Sequence, residues 1–223
     1  MAREIEIVVA ENAAQHVAER LAAAARRGGS IALTGGSSAR DAYELVRVLE
    51  TDWTRVELWW GDERCVAPDD ERSNYGMAKA ALLDHVSTGA VHRMQGELGR
   101  DAGAEAYEQE LAGLERFDLV LLGLGPDGHI ASLYPDQPTL EETVRRAVGA
   151  EAKWEPYVDR ITLTLPVLRA ADEVLFLVTG ANKAEAAKRA FVDEPSPATP
   201  GSLVRADTGR TTAVLDATAA ALL

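Results

Sequence analysis

The sequence lacks the features that mark secreted and membrane proteins. Cys65 is the only cysteine among 223 residues, so no disulfide can form within the chain, which is typical of a reducing compartment. No apolar run approaches the roughly 18 residues of a membrane span. Arg3, Glu4 and Glu6 interrupt the apolar residues near the start, which a signal-peptide core would not tolerate. We therefore expect a cytoplasmic globular protein with no membrane partner.

Basic residues are also scarce. There are 23 lysines and arginines against 36 aspartates and glutamates, which leaves a net charge of −13 at pH 7. A chain with this balance repels polyanions, so we expect no nucleic-acid partner. A local basic pocket for one small anion remains compatible with the overall charge.

Short β-like runs alternate with helical ones along the chain. The apolar patterns predict strands over Glu4–Ala10, Ser30–Thr34, Val56–Trp60, Phe117–Leu124, Arg160–Leu165, Glu173–Thr179 and Thr211–Leu215. They predict helices over Asn12–Arg26, Ser38–Leu49, Asn74–His85, Asp101–Leu114, Thr139–Val148 and Asn182–Phe191. Two segments are predicted to be loops, the polar Asp62–Arg72 and the proline-rich Glu194–Gly201. This alternation predicts an α/β fold, a mainly parallel twisted sheet with helices on both faces, in one domain over residues 1–223.

Glycines and hydroxyls follow the second predicted strand, at an end where α/β sheets bind ligands. Gly35, Gly36, Ser37 and Ser38 connect that strand to a helix, with Ser37 or Ser38 as the expected cap. Glycines let a ligand approach the backbone, and free N–H groups at a helix start favour an anion. No lysine follows the glycines, so this is not a Walker motif. These four residues are candidate phosphate ligands, with an ordinary tight turn as the alternative.

Charged residues follow the third predicted strand. Asp62, Glu63 and Arg64 follow its last residue, Trp60, after the single glycine Gly61. Arg64 can grip a phosphate or carboxylate with two parallel hydrogen bonds, and Asp62 can accept a proton or orient a base. Asn74 adds a polar group at the next helix start. The alternative is a solvated loop whose charges pair with one another.

A glycine-rich turn follows the apolar fourth strand. Gly123, Gly125 and Gly128 match G-x-G-x-x-G, but no acidic residue ends a predicted strand about 20 positions on, as a dinucleotide site requires. Pro126 also lacks the N–H that a pyrophosphate would bind. The turn instead places His129 in the expected cleft, and His129 also stands at a predicted helix start. His129 is a candidate acid or base, with a structural histidine as the alternative.

Two further cations are candidates for binding an anion. Lys183 would occupy the first turn of the helix after Gly180, where a cation opposes the helix dipole unless an anion is bound there. Arg160, at the start of another predicted strand, is a weaker candidate on the same argument. An exposed surface lysine is the alternative for Lys183.

Other chemistries lack their residues. Arg64 could lower the pKa of Cys65, but no histidine is near in sequence, which argues against a catalytic thiol. The histidines lack zinc-binding spacing and no hydride-carrier site is evident, so we expect no metal and no cofactor. No G-x-S-x-G elbow is present, so a serine hydrolase would lack its nucleophile. The remaining groups fit proton-assisted chemistry on a sugar phosphate, because a phosphate anchor positions the reacting carbon for Asp62 and His129.

The motifs resemble, in the same order, those of the 6-phosphogluconolactonase family, within the wider group that includes glucosamine-6-phosphate deaminase. The matching segments are Thr34-Gly35-Gly36-Ser37, Trp60-Gly61-Asp62-Glu63-Arg64, Ser73-Asn74, Gly123–His129 with Ser132-Leu133-Tyr134-Pro135, and Thr179–Ala184. The resemblance implies a Rossmann-like fold of the sugar-phosphate isomerase/CoA-transferase kind. It also implies hydrolysis of 6-phosphoglucono-1,5-lactone to 6-phosphogluconate, the second step of the oxidative pentose phosphate pathway.

In that reaction we predict that His129 takes a proton from the attacking water and returns it to the ring oxygen. Asp62 either orients His129 or holds the sugar hydroxyls. Arg64 and Lys183 are predicted to bind the phosphate, with Arg160 as a third cation. The oligomeric state is open between monomer and homodimer.

Two alternative functions stay open. The first is a glucosamine-6-phosphate deaminase. The deaminases that this chain resembles carry a glutamate within the segment that is Ser132–Tyr134 here, and a tyrosine at the position of Arg64. Both differences favour the lactonase. A non-catalytic sugar-phosphate sensor is the second alternative. A sensor of the transcription-regulator kind needs a DNA-binding segment, for which the acidic charge and the initial strand leave no room.

Overall fold

The computed structural model describes residues 4–153 and 155–223, which form two sheets and their surrounding helices. The strands are β1 (Glu6–Val9), β2 (Gly29–Leu33), β3 (Val56–Trp60), β4 (Asp62–Arg64), β5 (Ala90–Val91), β6 (Leu119–Leu122), β7 (Ala147–Ala150), β8 (Arg160–Leu163), β9 (Glu173–Val178) and β10 (Arg210–Leu215). The α-helices are α1 (Ala13–Arg27), α2 (Ser37–Val46), α3 (Asn74–Ala81), α4 (Arg100–Leu111), α5 (Leu165–Ala170) and α6 (Ala184–Phe191). Short 3-10 turns lie at Leu83–His85, Gly96–Leu98, Pro138–Glu141, Ala181–Lys183 and Pro200–Leu203.

The larger sheet has seven strands in the order β1-β10-β9-β6-β2-β3-β5, and every pair in it is parallel. From β2 the chain builds outward through β3 and β5, then returns to β6 and builds in the other direction. The strand order therefore reverses between β2 and β6. In open α/β sheets a ligand cleft forms at such a reversal, beyond the carboxyl ends of the strands.

The central strands are almost wholly apolar and are buried on both faces. Every residue of β6 and β9 is buried, whereas the edge strand β1 is mostly exposed. A continuous apolar run such as Leu119–Leu122 suits a strand that is buried on both sides. The predicted α/β fold with a mainly parallel sheet is confirmed. Among the described helices, none has the length and apolar character that a membrane crossing needs.

The smaller sheet was missed by sequence reasoning. It is antiparallel, in the order β4-β8-β7, and Gly61 leads the chain directly from β3 into β4. The prediction of a loop over Asp62–Arg72 is therefore wrong at its start, because Asp62–Arg64 pairs with Arg160–Thr162. Such pairing joins segments that are distant in sequence, so a local pattern of polar residues does not reveal it.

The predicted helix over Thr139–Val148 is also wrong. The segment forms a 3-10 turn over Pro138–Glu141 and then enters β7. The Glu108 carboxylate accepts hydrogen bonds at 2.8 Å from the backbone N–H groups of both Arg146 and Ala147. This contact from α4, together with pairing to β8, outweighs the helix propensity of the segment.

Two predictions about helix starts need correction. Neither Ser37 nor Ser38 caps α2; the N-cap is Gly36, without a side-chain hydrogen bond. His129 does not begin a helix, since turns follow it until Pro138–Glu141. The predicted loop Glu194–Gly201 supports that turn, because the Gly201 N–H donates to the Gly128 carbonyl at 2.9 Å.

Candidate active site

A cleft of about 410 Å³ lies at the carboxyl ends of β2, β3, β6 and β9. All the candidates named from the sequence line it: Gly35, Gly36, Ser37, Ser38, Asp62, Arg64, Asn74, His129, Arg160 and Lys183. They come from six separate segments of the chain, which the parallel sheet brings to one edge.

His129 is held by the turn that precedes it. The Gly125 N–H donates to the His129 carbonyl at 2.8 Å. A Cβ on Gly125 would lie 2.1 Å from His129 Nδ1, so no larger residue fits beneath the ring. The His129 side chain is 18% exposed, and its Nδ1 lies 2.6 Å from Asp127 Oδ1. The ring is thus fixed by a carboxylate on one side while it lines the cleft.

Asp127 sets the tautomer of His129, that is, which of the two ring nitrogens carries the proton. Burial acts to raise the pKa of Asp127, but the hydrogen bond and charge of His129 oppose it and leave that pKa below its usual value. An ionised carboxylate only accepts hydrogen bonds, so Nδ1 of a neutral His129 carries the proton and Nε2 is left to accept one. Asp127 was not named as a site residue from sequence, although the Asp-Gly-His spacing could have indicated it.

Asp62 has different partners from those of His129. Its Oδ2 accepts a hydrogen bond at 2.7 Å from Ser132 Oγ, and its Oδ1 accepts one at 3.2 Å from Asn74 Nδ2. Asp62 is buried, which contradicts the alternative of a solvated loop. Among the described contacts, Asp127 rather than Asp62 orients His129. Of the two predicted roles for Asp62, contact with the substrate's hydroxyls is the one this geometry favours.

The two arginines of the cleft, Arg64 and Arg160, donate some of their side-chain hydrogen bonds to backbone carbonyls of the protein. Arg64 Nη1 donates to the Arg72 carbonyl at 2.5 Å. Arg160 is buried, and its guanidinium donates to the carbonyls of Val158 and Pro156 at 2.5 and 2.7 Å. Arg160 therefore braces the chain at the cleft in addition to contributing its charge.

Lys183 is half-buried and lines the same cleft. Burial lowers its pKa, while the charge of Asp127 opposes that shift. It ends a 3-10 turn and is the N-cap of α6, so it lies just before the helix rather than in its first turn. A bound anion would restore the favourable surroundings that a partly buried ammonium group lacks.

Two loops meet beside Lys183. Ser38 Oγ lies 2.5 Å from Thr179 Oγ1, which joins the start of α2 to the end of β9. The Gly180 N–H donates to Asp216 Oδ2 at 2.9 Å, which ties the second loop to the end of β10. A Cβ on Gly35 would lie 1.9 Å from Asn74 Oδ1, so glycine is required where the first loop passes Asn74. The loops form a wall of glycines and hydroxyls that these hydrogen bonds connect to α2, β9 and β10.

In the described part of the chain, no three histidine, cysteine, aspartate or glutamate side chains are grouped so that they could hold a metal ion. The possibility that Arg64 lowers the pKa of Cys65 is not realised, in line with the argument against a catalytic thiol. Burial raises the pKa of Cys65 to about 11, with the charges of Asp159 and Glu63 adding to the shift and Arg160 opposing it.

Cys65 is consequently expected to be inert in the folded protein. We predict that iodoacetamide at pH 8 leaves Cys65 unmodified over a time in which a denatured sample reacts completely. Mass spectrometry of native and denatured samples measures this. Equal rates of alkylation in the two samples would contradict the assignment of a protonated, protected thiol.

The comparisons with known proteins identify the family. The family model described as glucosamine-6-phosphate isomerases/6-phosphogluconolactonase matches residues 6–213. The chain belongs to this family. The curated 6-phosphogluconolactonase of Mycobacterium leprae is 42% identical over 200 residues, covering 81% of this chain and 80% of the relative. That of Streptomyces coelicolor is 39% identical, covering 100% of this chain and 88% of the relative.

Solved structures from the glucosamine-6-phosphate isomerase/6-phosphogluconolactonase family share the fold. The 6-phosphogluconolactonase from Trypanosoma cruzi is 27% identical, with a TM-score of 0.85 over 100% of this chain and 98% of that one. The family predicted from the strand-end motifs is therefore confirmed.

The Asp127–His129 pair permits a prediction within this family. Replacing Asp127 by asparagine keeps the shape but removes the charge that fixes the His129 tautomer. We expect kcat for lactone hydrolysis to fall at least about 10- to 100-fold, the loss seen when the carboxylate partner of a metal-binding histidine is removed. Steady-state kinetics measures this, with Asp136→Asn as a control outside the cleft lining. Unchanged turnover in Asp127→Asn would show that the pair does not set the reactivity of His129.

Proposed function

We propose that this protein hydrolyses 6-phospho-D-glucono-1,5-lactone to 6-phospho-D-gluconate, in the oxidative pentose phosphate pathway. The observation that carries the proposal is an oriented histidine and a cationic, hydroxyl-lined pocket in one cleft. Membership of the family and the names of the relatives support the same activity. A cytoplasmic location and a monomeric or homodimeric state stay predictions.

The chemistry begins with a water molecule between His129 and the lactone carbonyl carbon. His129 Nε2 accepts a proton from this water as its oxygen forms a bond to C1. The Asp127 carboxylate then stabilises the imidazolium through the 2.6 Å hydrogen bond to Nδ1. A lactone is an activated ester, so a positioned base and water are sufficient to start hydrolysis.

The second half of the reaction opens the ring. The tetrahedral intermediate collapses, the bond between C1 and the ring oxygen breaks, and the ring oxygen takes the proton that His129 holds. The new carboxylic acid loses its proton to solvent, and His129 returns to its neutral form. The protons balance, and no oxidant or reductant is needed.

The remaining cleft residues bind the substrate in this proposal. Lys183 and the Gly35–Ser38 loop hold the phosphate, with Arg64 and Arg160 adding positive charge. Asp62 accepts hydrogen bonds from the sugar hydroxyls, while Ser132 and Asn74 fix its carboxylate. Binding energy from the phosphate thus places C1 beside His129.

The deaminase alternative is disfavoured by the residues after His129. The deaminases that this chain resembles have a glutamate there that assists ring opening. Here the segment supplies Ser132, whose hydroxyl donates to Asp62, and Tyr134, whose ring centroid lies 5.1 Å from that of His129. A hydroxyl bound to Asp62 does not replace a carboxylate proton relay.

Two assays on the same purified protein separate these functions. Lactone is generated from glucose 6-phosphate in situ, and 6-phosphogluconate formation is followed with a coupled dehydrogenase. Glucosamine 6-phosphate is supplied in parallel, and ammonia release is measured. We expect lactone hydrolysis well above the spontaneous rate and no ammonia; ammonia release without lactone hydrolysis would reverse the assignment.

A further inference from the structure

Glu63 is a buried carboxylate that the proposed chemistry does not use. It lies in β4 between Asp62 and Arg64, is 3% exposed, and is not among the residues that line the cleft. Burying an ionised carboxylate is costly unless donors surround it. The hydrogen-bond donors around Glu63 therefore indicate which part of the structure its carboxylate holds in place.

Four donors converge on this carboxylate. Oε1 accepts hydrogen bonds at 2.7 Å from the backbone N–H groups of Arg64 and Asn74. Oε2 accepts hydrogen bonds from the Tyr75 N–H at 2.7 Å and from Ser73 Oγ at 2.9 Å. Burial raises the pKa of Glu63, while these four hydrogen bonds oppose that shift. A group that only accepts hydrogen bonds satisfies all of them at once.

These hydrogen bonds fasten the start of α3 to β4. The first N–H groups of a helix have no partner within the helix. Glu63 satisfies those of Asn74 and Tyr75, and Ser73 Oγ satisfies that of Gly76 at 3.0 Å. The orientation of the first helical residue, Asn74, is thereby set by a strand residue 11 positions earlier.

Asn74 transmits this constraint to the cleft. Its Nδ2 donates to the Asp62 carbonyl at 2.9 Å and to Asp62 Oδ1 at 3.2 Å. Its Oδ1 lies against Gly35, in the loop proposed to hold the phosphate. A shift of Asn74 would therefore weaken its hydrogen bond to Asp62 Oδ1 and leave the carboxylate, which is proposed to hold the sugar hydroxyls, bound by Ser132 alone among its described partners.

We propose that Glu63 is a positioning residue for the lactonase reaction, which acts through Asn74 to hold Asp62 where it aligns the sugar ring with His129. The inference rests on the proposed function. The described hydrogen-bond partners of Glu63 lie in Arg64 and at the start of α3. The wall beside the proposed phosphate position is formed by Ser38, Thr179 and Lys183, which lie on other elements. Loss of the Glu63 carboxylate should thus disturb alignment more than phosphate anchoring, since the described contact of Asn74 with the Gly35–Ser38 loop is at Gly35 and Lys183 keeps its place.

Glu63→Gln is the direct test, because it keeps the size but presents an NH₂ group to some of the four donors. We expect kcat for lactone hydrolysis to fall about 10- to 100-fold, since a displacement near 1 Å costs up to about 10²-fold. We expect little change in KM and in inhibition by inorganic phosphate. Activity is expressed per folded molecule, from the folded fraction measured by circular dichroism. Glu105→Gln, at an exposed position of α4, is the matched control and should keep wild-type kinetics.

Ser73→Ala keeps the test decisive if Glu63→Gln does not fold. It removes one of the four donors and leaves the three backbone hydrogen bonds, so we expect a smaller fall in kcat with KM again unchanged. Wild-type kcat per folded molecule in Glu63→Gln, or in Ser73→Ala when only that variant folds, would overturn the positioning role, even if the melting temperature dropped. A wild-type protein without lactonase activity would instead overturn the proposed function, and the role of Glu63 with it.

Discussion

His129→Ala is expected to lower kcat for lactone hydrolysis by about 10²- to 10⁴-fold, the usual contribution of a positioned acid–base group. KM should change little, because the phosphate ligands lie on other segments. The alanine leaves the cleft able to bind substrate but without a group to accept the proton of the attacking water. Initial rates across a range of lactone concentrations separate the two parameters.

His16→Ala is the matched control for this variant. His16 lies on α1 and is not among the residues lining the cleft, so its loss should leave kcat and KM at wild-type values. Wild-type turnover in His129→Ala would refute the general-base role. A raised KM with unchanged kcat would instead place His129 among the binding groups.

Lys183→Ala is expected to raise KM about 10- to 100-fold with a smaller effect on kcat. A hydrogen bond to a charged group contributes about 1.5–3 kcal/mol, and the phosphate is bound in both ground and transition states. Lys188→Ala is the control, because Lys188 is an exposed lysine in α6 that pairs with Asp193 at 3.5 Å. A fall in kcat at constant KM in Lys183→Ala would place Lys183 at the reacting carbon instead of at the phosphate.

The pH dependence of binding gives a second test of Lys183. Burial lowers the pKa of Lys183, so its ammonium loses the proton at a lower pH than an exposed lysine does. Affinity for 6-phosphogluconate should therefore weaken as the pH rises through that lowered pKa. Lys183→Arg keeps its charge over this range and should show a flatter profile by calorimetry. Parallel profiles for the two proteins would contradict the proposed contact.

The strand-end motifs were predictable because their signals are local. An apolar run followed by a glycine gives the strand and its approximate end: Val56–Trp60 forms as predicted, whereas the strand predicted over Phe117–Leu124 is shorter, at Leu119–Leu122. Parallel pairing then brings those ends to one edge, so a list of strand-end residues is also a list of neighbours. This is why Gly35, Lys183 and the other candidates meet in one cleft.

The partners of the candidate residues were not predictable in the same way. Ser132, which binds Asp62, is 70 positions away from it, and only the folded chain shows that this serine fixes the carboxylate. Glu63 was seen in sequence only as one charge in a polar run, because its burial depends on pairing between β4 and β8. The role of Asp127 depends on the turn that places Asp127 Oδ1 against His129 Nδ1.

The most direct test of the account follows a pulse of 6-phosphogluconolactone by ³¹P NMR with and without a catalytic amount of the protein. We predict that the lactone signal disappears at a rate proportional to wild-type protein concentration and that the 6-phosphogluconate signal replaces it. The time course with His129→Ala should approach the protein-free one. A wild-type time course that coincides with the protein-free one would contradict the assignment of this cleft to lactone hydrolysis.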